Sequence, residues 1–554
     1  MKHLAPPLLV LLLLGAACDT PSSETRQTAL PTGYPALDLP FRPNILWLVA
    51  EDMSPYLTSF GDSTVETPHL DRLAREGVRY TNLFSVSGVC APSRFSLATG
   101  VYTTSAGAHN MRTSSRQEYM DKIGLIRYET VPPPEVRMMS EVLRRHGYYT
   151  SNNAKQDYQF RAPVTAWDQN SNKAHWRNRP PGQPFFSIFN FGVTHESRIW
   201  AKAADSLWVD ADLEVPIPPY LPPTDAVRRD VRRLYSNVKE MDHQVGLILA
   251  DLEADGLLDS TIVVWYTDHG GPLPRQKRLL YDSGLHVPMI IRFPNAQHAG
   301  TIDDQLVSFV DFAPTTFSLA GIEPPAYLEG QAFLGDARAA EARRYIHAAA
   351  DRLDTEYDMI RAVRDKQFKY LRNFHPERGY YLAVTYREQM ATMQELLRLR
   401  DTGGLDEYQA QWFRTSKPDE ELFDTDADPH ELHNLAADPA YADKLAELRA
   451  ELDRWMEATD DKGTVPEADL LDRFWPGRQQ PVTAAPDIQK NSHQITLGSA
   501  TEGASIGYQI LAEGEEPGNH WHVYTEPVPL PDGHRLHAVA HRLGYVPSEV
   551  VSVP

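Results

Sequence analysis

The sequence predicts an α/β protein: a mostly parallel sheet flanked by helices, then a smaller α+β C-terminal subdomain and a short C-terminal β-sandwich. Three observations lead there. Unbroken apolar runs stand at 44–50, 185–191 and 261–266, with a fourth at 289–293. Runs without polar alternation are strands buried on both faces, as in a parallel sheet covered by helices. Helical patterns separate the runs, over 67–77, 137–147 and 225–256, and that alternation marks α/β architecture. Lastly, Glu51-Asp52, His195 and Asp268-His269 fall just beyond the apolar runs, where α/β sheets hold their ligands.

The elements follow in order. Residues 1–17 begin with Lys2, carry an apolar run at 8–14 and leave through Gly15-Ala16-Ala17 before Cys18. The run is too short for a permanent span, so the segment reads as an export signal. A Cys directly after small residues resembles a bacterial lipoprotein signal. This implies an exported protein, periplasmic or at the cell surface, lipid-anchored at Cys18. Gly15 departs from the usual aliphatic residue, which leaves plain signal cleavage as the alternative. Residues 18–40 read as a tether. A catalytic domain is expected over 41–340 and a smaller subdomain over 341–480. A Pro-rich linker at 475–486 then leads to a small β-domain over 485–554, expected to pack on the smaller subdomain.

A chain of 554 residues with 42 % hydrophobic and 23 % charged residues has material for several packed domains. Its net charge of −21 repels nucleic acid, and an anionic substrate would need cations gathered locally. The two cysteines are Cys18 and Cys90. Once Cys18 is lipidated or removed, Cys90 is a lone thiol in an oxidising compartment.

The stretch around that thiol is Val89-Cys90-Ala91-Pro92-Ser93-Arg94-Phe95-Ser96-Leu97-Ala98-Thr99-Gly100. It sets a nucleophile at the start of a predicted helix with Pro92 in the first turn and Arg94 one turn on. A helix N-terminus with a nearby Arg favours an anion. By itself this is a candidate anion-binding nucleophile.

The stretch also resembles the Cys-x-Pro-Ser-Arg…Leu-x-Thr-Gly signature of the formylglycine-dependent sulfatases, in the alkaline-phosphatase-like superfamily. Among these it is most similar to the bacterial heparan N-sulfatase-like and polysaccharide sulfatases, and His109 and Arg112 lie in a segment resembling that group. The resemblance implies that Cys90 is oxidised to an aldehyde whose hydrate supplies the nucleophilic oxygen. Glu51 and Asp52 match two acidic metal ligands, although Glu51 stands where Asp is usual. Asp268 matches a third ligand and His269 a fourth, and with residue 90 they imply a Ca²⁺ site. Lys155 is similar to the family's Lys that contacts formylglycine and sulfate, with Ala154 and Asp157 departing from the common pattern around it. Lys277 matches the second sulfate-binding Lys, with Arg278 as a competing choice, and His195 matches the His that meets the ester.

The implied chemistry is in-line attack on sulfur, with Arg94, Lys155 and Lys277 stabilising sulfuryl charge and His195 as proton donor. The implied partners are a sulfated polysaccharide or oligosaccharide substrate and a formylglycine-generating enzyme during maturation. Nucleic acid is not among them, and the membrane is met only through an N-terminal lipid. Two rival readings stand beside this one: a phosphonate or phosphate monoester hydrolase of the same superfamily, and a non-catalytic glycan-binding surface protein.

Overall fold

A computed structural model describes residues 36–554, except 115, 492 and 493, together with the backbone of Thr25–Thr28. The expected export signal, Cys18 and most of the tether lie outside the described residues. Among those described, no helix is long and apolar enough to cross a membrane.

The centre is one mixed sheet. Its main strands are β1 (Asn44–Ala50), β2 (Val78–Phe84), β3 (Tyr149–Asn153), β4 (Phe185–Phe191), β5 (Thr261–Thr267) and β6 (His286–Arg292). They lie in the order β2-β6-β5-β1-β4-β3, with short strands at Thr301–Asp303 and Gln169–Asn170 on the outer edges. β1 is parallel to β5 and β4, while β6 runs against both β5 and β2. The reversal has a simple cause. β5 and β6 are joined by residues 268–285, mostly loop with one short helix at Asp282–Leu285, which double back at the strand end instead of crossing over the sheet.

The apolar runs are strands because each has two faces to bury. Ile45, Trp47 and Val49 enter one core with Tyr266 and Phe312, while Leu46, Leu48 and Ala50 enter the other with Val263 and Trp265. Trp47 meets Phe186, Tyr266 and Phe312 edge-on at 5.1–5.5 Å between ring centres, a favoured aromatic geometry. Helices α1 (Pro68–Glu76), α2 (Cys90–Thr99), α3 (Met139–Arg145), α4 (Asp225–Ala254) and α5 (Phe312–Ala320) cover the two faces.

The smaller subdomain has a four-stranded antiparallel sheet, Ile346–Ala350, Ile360–Arg364, Phe368–Asn373 and Glu420–Asp424. It has no core of its own. Val363, Tyr370 and Leu422 join the first core, and Met393 and Leu396 join the second. Thr392 seals the junction by donating its backbone N–H and hydroxyl to Asp230 on α4 at 2.6 and 2.7 Å.

The tail forms two antiparallel sheets over a separate core that includes Ile495, Ile506, Leu536 and Ala538. It packs on α3 and the loop before it as well as on the end of the smaller subdomain, at Trp475. Ser505 donates to buried Glu141 at 2.7 Å, Arg144 donates to the Trp521 carbonyl at 2.7 Å, and Arg542 donates to the Pro132 carbonyl. The Pro-rich segment is likewise no free linker: Trp475 is buried and its indole donates to the Gly544 carbonyl at 3.2 Å. Glu141, a buried carboxylate with one oxygen facing the tail, could have hinted at this from the sequence only with the fold in hand.

At Gly544 the close approach requires glycine: φ is +80°, and an added Cβ would stand 2.4 Å from the Thr130 carbonyl oxygen. Gly514 has a similar φ of +92° with nothing within 4 Å. Gly514→Ala therefore carries only backbone strain, about 1 kcal/mol, whereas Gly544→Ala should add a steric cost and lose about 2–3 kcal/mol in total. Thermal melting of the two variants checks this; equal shifts would mean the tail is not clamped at Thr130.

Candidate active site

The register of the sheet builds the site. Ala50 pairs with Thr267 on one side and Phe191 on the other, so the chain leaves all three strands at one level. Three backbone bonds continue the contact past the strand ends: Asp268 N–H to Ala50 O at 3.1 Å, Glu51 N–H to Phe191 O at 3.3 Å and Met53 N–H to His269 O at 3.2 Å. Asp52 adopts φ +50°, a left-handed conformation costing of order 1 kcal/mol in a non-glycine residue. The turn places its carboxylate within the protein at full burial, where it accepts from the Glu196 N–H at 2.7 Å.

Cys90 is the first residue of α2, all ten of whose residues are buried. Its Sγ lies 3.3 Å from His269 Nε2 and 3.7 Å from Asp52 Oδ1. Donor atoms of Asp52, Cys90, Asp268 and His269 all lie within 4.8 Å of one another. Burial pushes the Cys90 thiol up, but the ammonium groups of Lys155 and Lys277 outweigh it and bring it down to about 7. One turn along α2, Arg94 donates to Asp268 at 2.9 Å and to Asn190 at 2.7 Å, while Ser93 ties the helix to the Asp268 carbonyl.

Buried carboxylates need cations, and the site supplies them. Lys277 reaches Asp52 at 2.5 Å, Glu196 at 3.2 Å and His195 Nε2 at 3.4 Å. Burial opposes its charge, yet Asp52 holds its pKa well above the usual lysine value. Asp268 is pushed up by burial and pulled down to about 2, chiefly by Arg94. His269 is opposed by burial but raised to about 10 by Asp268 and Asp52. Lys155 donates to Glu51 at 2.8 Å.

All nine residues expected to be catalytic or metal-ligating therefore meet at one place. They are not equivalent. Glu51 groups with Asp52 and His195 instead of with the Asp52, Cys90, Asp268 and His269 set, and its carboxylate is paired with Lys155. Lys277 faces Asp52, whereas Arg278 is turned to Glu196 in a two-pronged pair at 2.6 and 2.8 Å. Sequence reasoning missed this buried pair. Glu196 follows His195 directly, and a second acid beside a site histidine was the available signal. It also missed Asn190, whose amide links Arg94 to Asn152.

Above the cluster opens a cavity of about 430 Å³, bordered by Cys90, Lys155, His195 and Lys277. Arg112 and Tyr386 close its far side, with the guanidinium 5.2 Å from the ring centre. Tyr386 comes from the smaller subdomain, so both parts of the chain shape the cavity. Cations at its floor and a nucleophile at a helix N-terminus fit an anionic ester whose transferable group reaches residue 90.

Comparison with known proteins agrees. The sulfatase family model matches residues 43–322, half of the chain, and a model of the C-terminal part of N-sulphoglucosamine sulphohydrolase matches 275–383. An ulvan-active sulfatase of Formosa agariphila is 53 % identical over 93 % of this chain and 92 % of its own length. Among solved structures, one of a protein with its substrate D-glucosamine-2-N,6-O-disulfate shares the fold. Its TM-score is 0.55 at 17 % identity, covering 76 % of this chain and 98 % of that one. A phosphonate monoester hydrolase from Silicibacter pomeroyi has a TM-score of 0.54 at 19 % identity, covering 76 % and 97 %, so the fold by itself does not choose between these chemistries. The family match and the 53 % identity do choose: this chain belongs to the sulfatase family and is a sulfuric ester hydrolase.

Proposed function

We propose that this sulfatase removes sulfate ester groups from a sulfated polysaccharide or its oligosaccharides, with residue 90 converted to formylglycine and calcium held beside it. The observation that carries this reading is the position of Cys90: first residue of a buried helix, on the cavity floor, within 3.7 Å of Asp52 and His269. The donor chemistry fits the cation. Two carboxylates and an imidazole suit a hard divalent ion once residue 90 offers oxygen; left as a thiolate, the same set would lean towards zinc. Asp52, Asp268, His269 and residue 90 would hold calcium, which supplies Lewis-acid stabilisation of sulfuryl charge. The formylglycine hydrate supplies the nucleophilic oxygen.

The remaining work falls to the chain's own side chains. Lys155 and Lys277, which border the same cavity as Cys90, bind and orient the sulfate group and stabilise negative charge developing on its oxygens. Arg94 holds Asp268 in place, and Asn190 holds Arg94. His195 borders the cavity with Nδ1 turned to Ser197 at 2.9 Å and Nε2 nearest Lys277 at 3.4 Å. From there it donates to the departing alcohol oxygen. The Glu196–Arg278 pair keeps Lys277 and Asp52 in register. Since a 53 % identical relative is named for activity on ulvan, ulvan is the first substrate to try. Maturation by a formylglycine-generating enzyme, export to the periplasm or cell surface, and attachment at Cys18 belong to the same reading, supported by the signature at 90–100 and the sequence of 1–18.

Active protein should carry a peptide spanning position 90 about 18 Da lighter than its cysteine form, the difference between CH₂SH and CHO. Full activity in a preparation holding only unmodified Cys90 would refute the mechanism. Calcium should raise the melting temperature of the wild type in a concentration-dependent way. Asp268→Asn and Asp52→Asn should each lose that rise along with turnover, while Glu51→Gln should retain most of the calcium response. A calcium response lost in Glu51→Gln and kept in Asp268→Asn would move the ion to the other group.

A further inference from the structure

A second cavity, of about 770 Å³, adjoins the first. Gln156 borders both, so the two meet at its side chain. The loop 157–160 walls the catalytic side, and 161–164 turns its residues to the other. The edge strand Gln169–Asn170, parallel to β3, supplies one bank, and Asn519 and His520 of the tail supply part of the opposite one.

The lining has a consistent chemistry. Gln156, Gln169, Asn170 and Asn519 bring carboxamides, and Arg161 and Lys173 bring exposed cations. Neither cation makes a side-chain ion pair among the described residues, in a protein of net charge −21. The one acid facing this space, Asp168, is already engaged: it accepts from Arg144 at 2.7 Å and from His520 at 2.9 Å. Trp167 lies at the base, and its indole N–H is buried without a protein partner. Carboxamides donate and accept at once and so match vicinal hydroxyls, while free Arg and Lys match sulfate or carboxylate groups. The volume falls within the range of about 300–1,000 Å³ for bound small molecules. A nucleic acid or acidic peptide would share the cations but not the need for so many neutral amides.

We infer that this groove is a second glycan-binding site, seating further sugar units of an anionic polysaccharide whose sulfated residue occupies the catalytic cavity. The inference rests on the polysaccharide reading above and extends it, because it gives the tail a direct share in the substrate: His520, held by Asp168, and Asn519 meet the chain beyond the reacting sugar. The length of the contact then separates polymers from small esters by effective concentration at the catalytic cavity.

The test uses the full-length enzyme and its R161A/K173A variant with two probes, ulvan and a small aryl sulfate. The variant should be as stable as the wild type, since both side chains are exposed. It should raise KM on ulvan roughly tenfold, the scale of two exposed charge-assisted contacts, while aryl sulfate kinetics stay within about twofold of wild type. In native gels containing ulvan, the wild type should be retarded relative to a gel without it, and the variant much less so. Equal retardation and equal KM on ulvan would overturn the groove while leaving the sulfatase reading intact. A wild type that cleaves aryl sulfate but is neither retarded by ulvan nor active on it also overturns the groove. Loss of aryl sulfate hydrolysis in fully matured wild type would strike at the catalytic reading instead, whatever the gels show.

Discussion

Two carboxylates with no access to water, Asp52 and Asp268, set the terms for everything around them. Burying an unpaired carboxylate costs several kcal/mol, so each must be met by cations or donors within bonding distance. Asp52 is met by Lys277, His269 and the Glu196 N–H; Asp268 by Arg94 and the Asp52 N–H. The partners in turn need holding, and the second layer supplies it. Glu196 divides its charge between Lys277 and Arg278, Asn190 braces Arg94, and Glu51 takes Lys155. The thiol of Cys90 sits inside this network and is acidified by it.

The sheet is what makes such a network affordable in sequence terms. Asp52 and Asp268 are 216 residues apart, and Cys90, Lys155, His195 and Lys277 come from separate connections. They meet because β1 lies between β4 and β5 in parallel register, with all three strands ending at one level. The antiparallel turn-back from β5 to β6 adds the loop that carries Lys277 and Arg278. That loop is pinned to the helix start by the Arg278 N–H bond to the Gly88 carbonyl at 2.7 Å. The cavity is then finished from outside the sheet, by Tyr386 and Arg112.

Much of this could be read in the chain beforehand. Continuous apolar runs located β1, β4, β5 and β6, and polar residues just past them located the site. The signature at Cys90 pointed to the family because it is a linear motif, readable without the fold. Other features left no such mark. β2 alternates buried and half-buried residues over Val78–Phe84 and looks like ordinary amphipathic chain. The Glu196–Arg278 pair spans 82 residues, and ion pairs between distant residues have no sequence period. The tail's docking on α3 depends on Glu141 and Ser505, 364 residues apart, and neither residue type announces its partner. The groove beside the tail is the clearest instance, since its amides and cations are unremarkable surface residues until Asn519 and His520 come to border them.

The proposed chemistry turns on where the cation is held. Crystals of the matured enzyme grown with calcium chloride, examined by anomalous difference maps, answer this directly. One peak should lie among Asp52, Asp268, His269 and residue 90, with Lys277 moved off Asp52 or sharing it. A peak between Glu51 and His195, or no peak in enzyme that still turns over, would contradict the account.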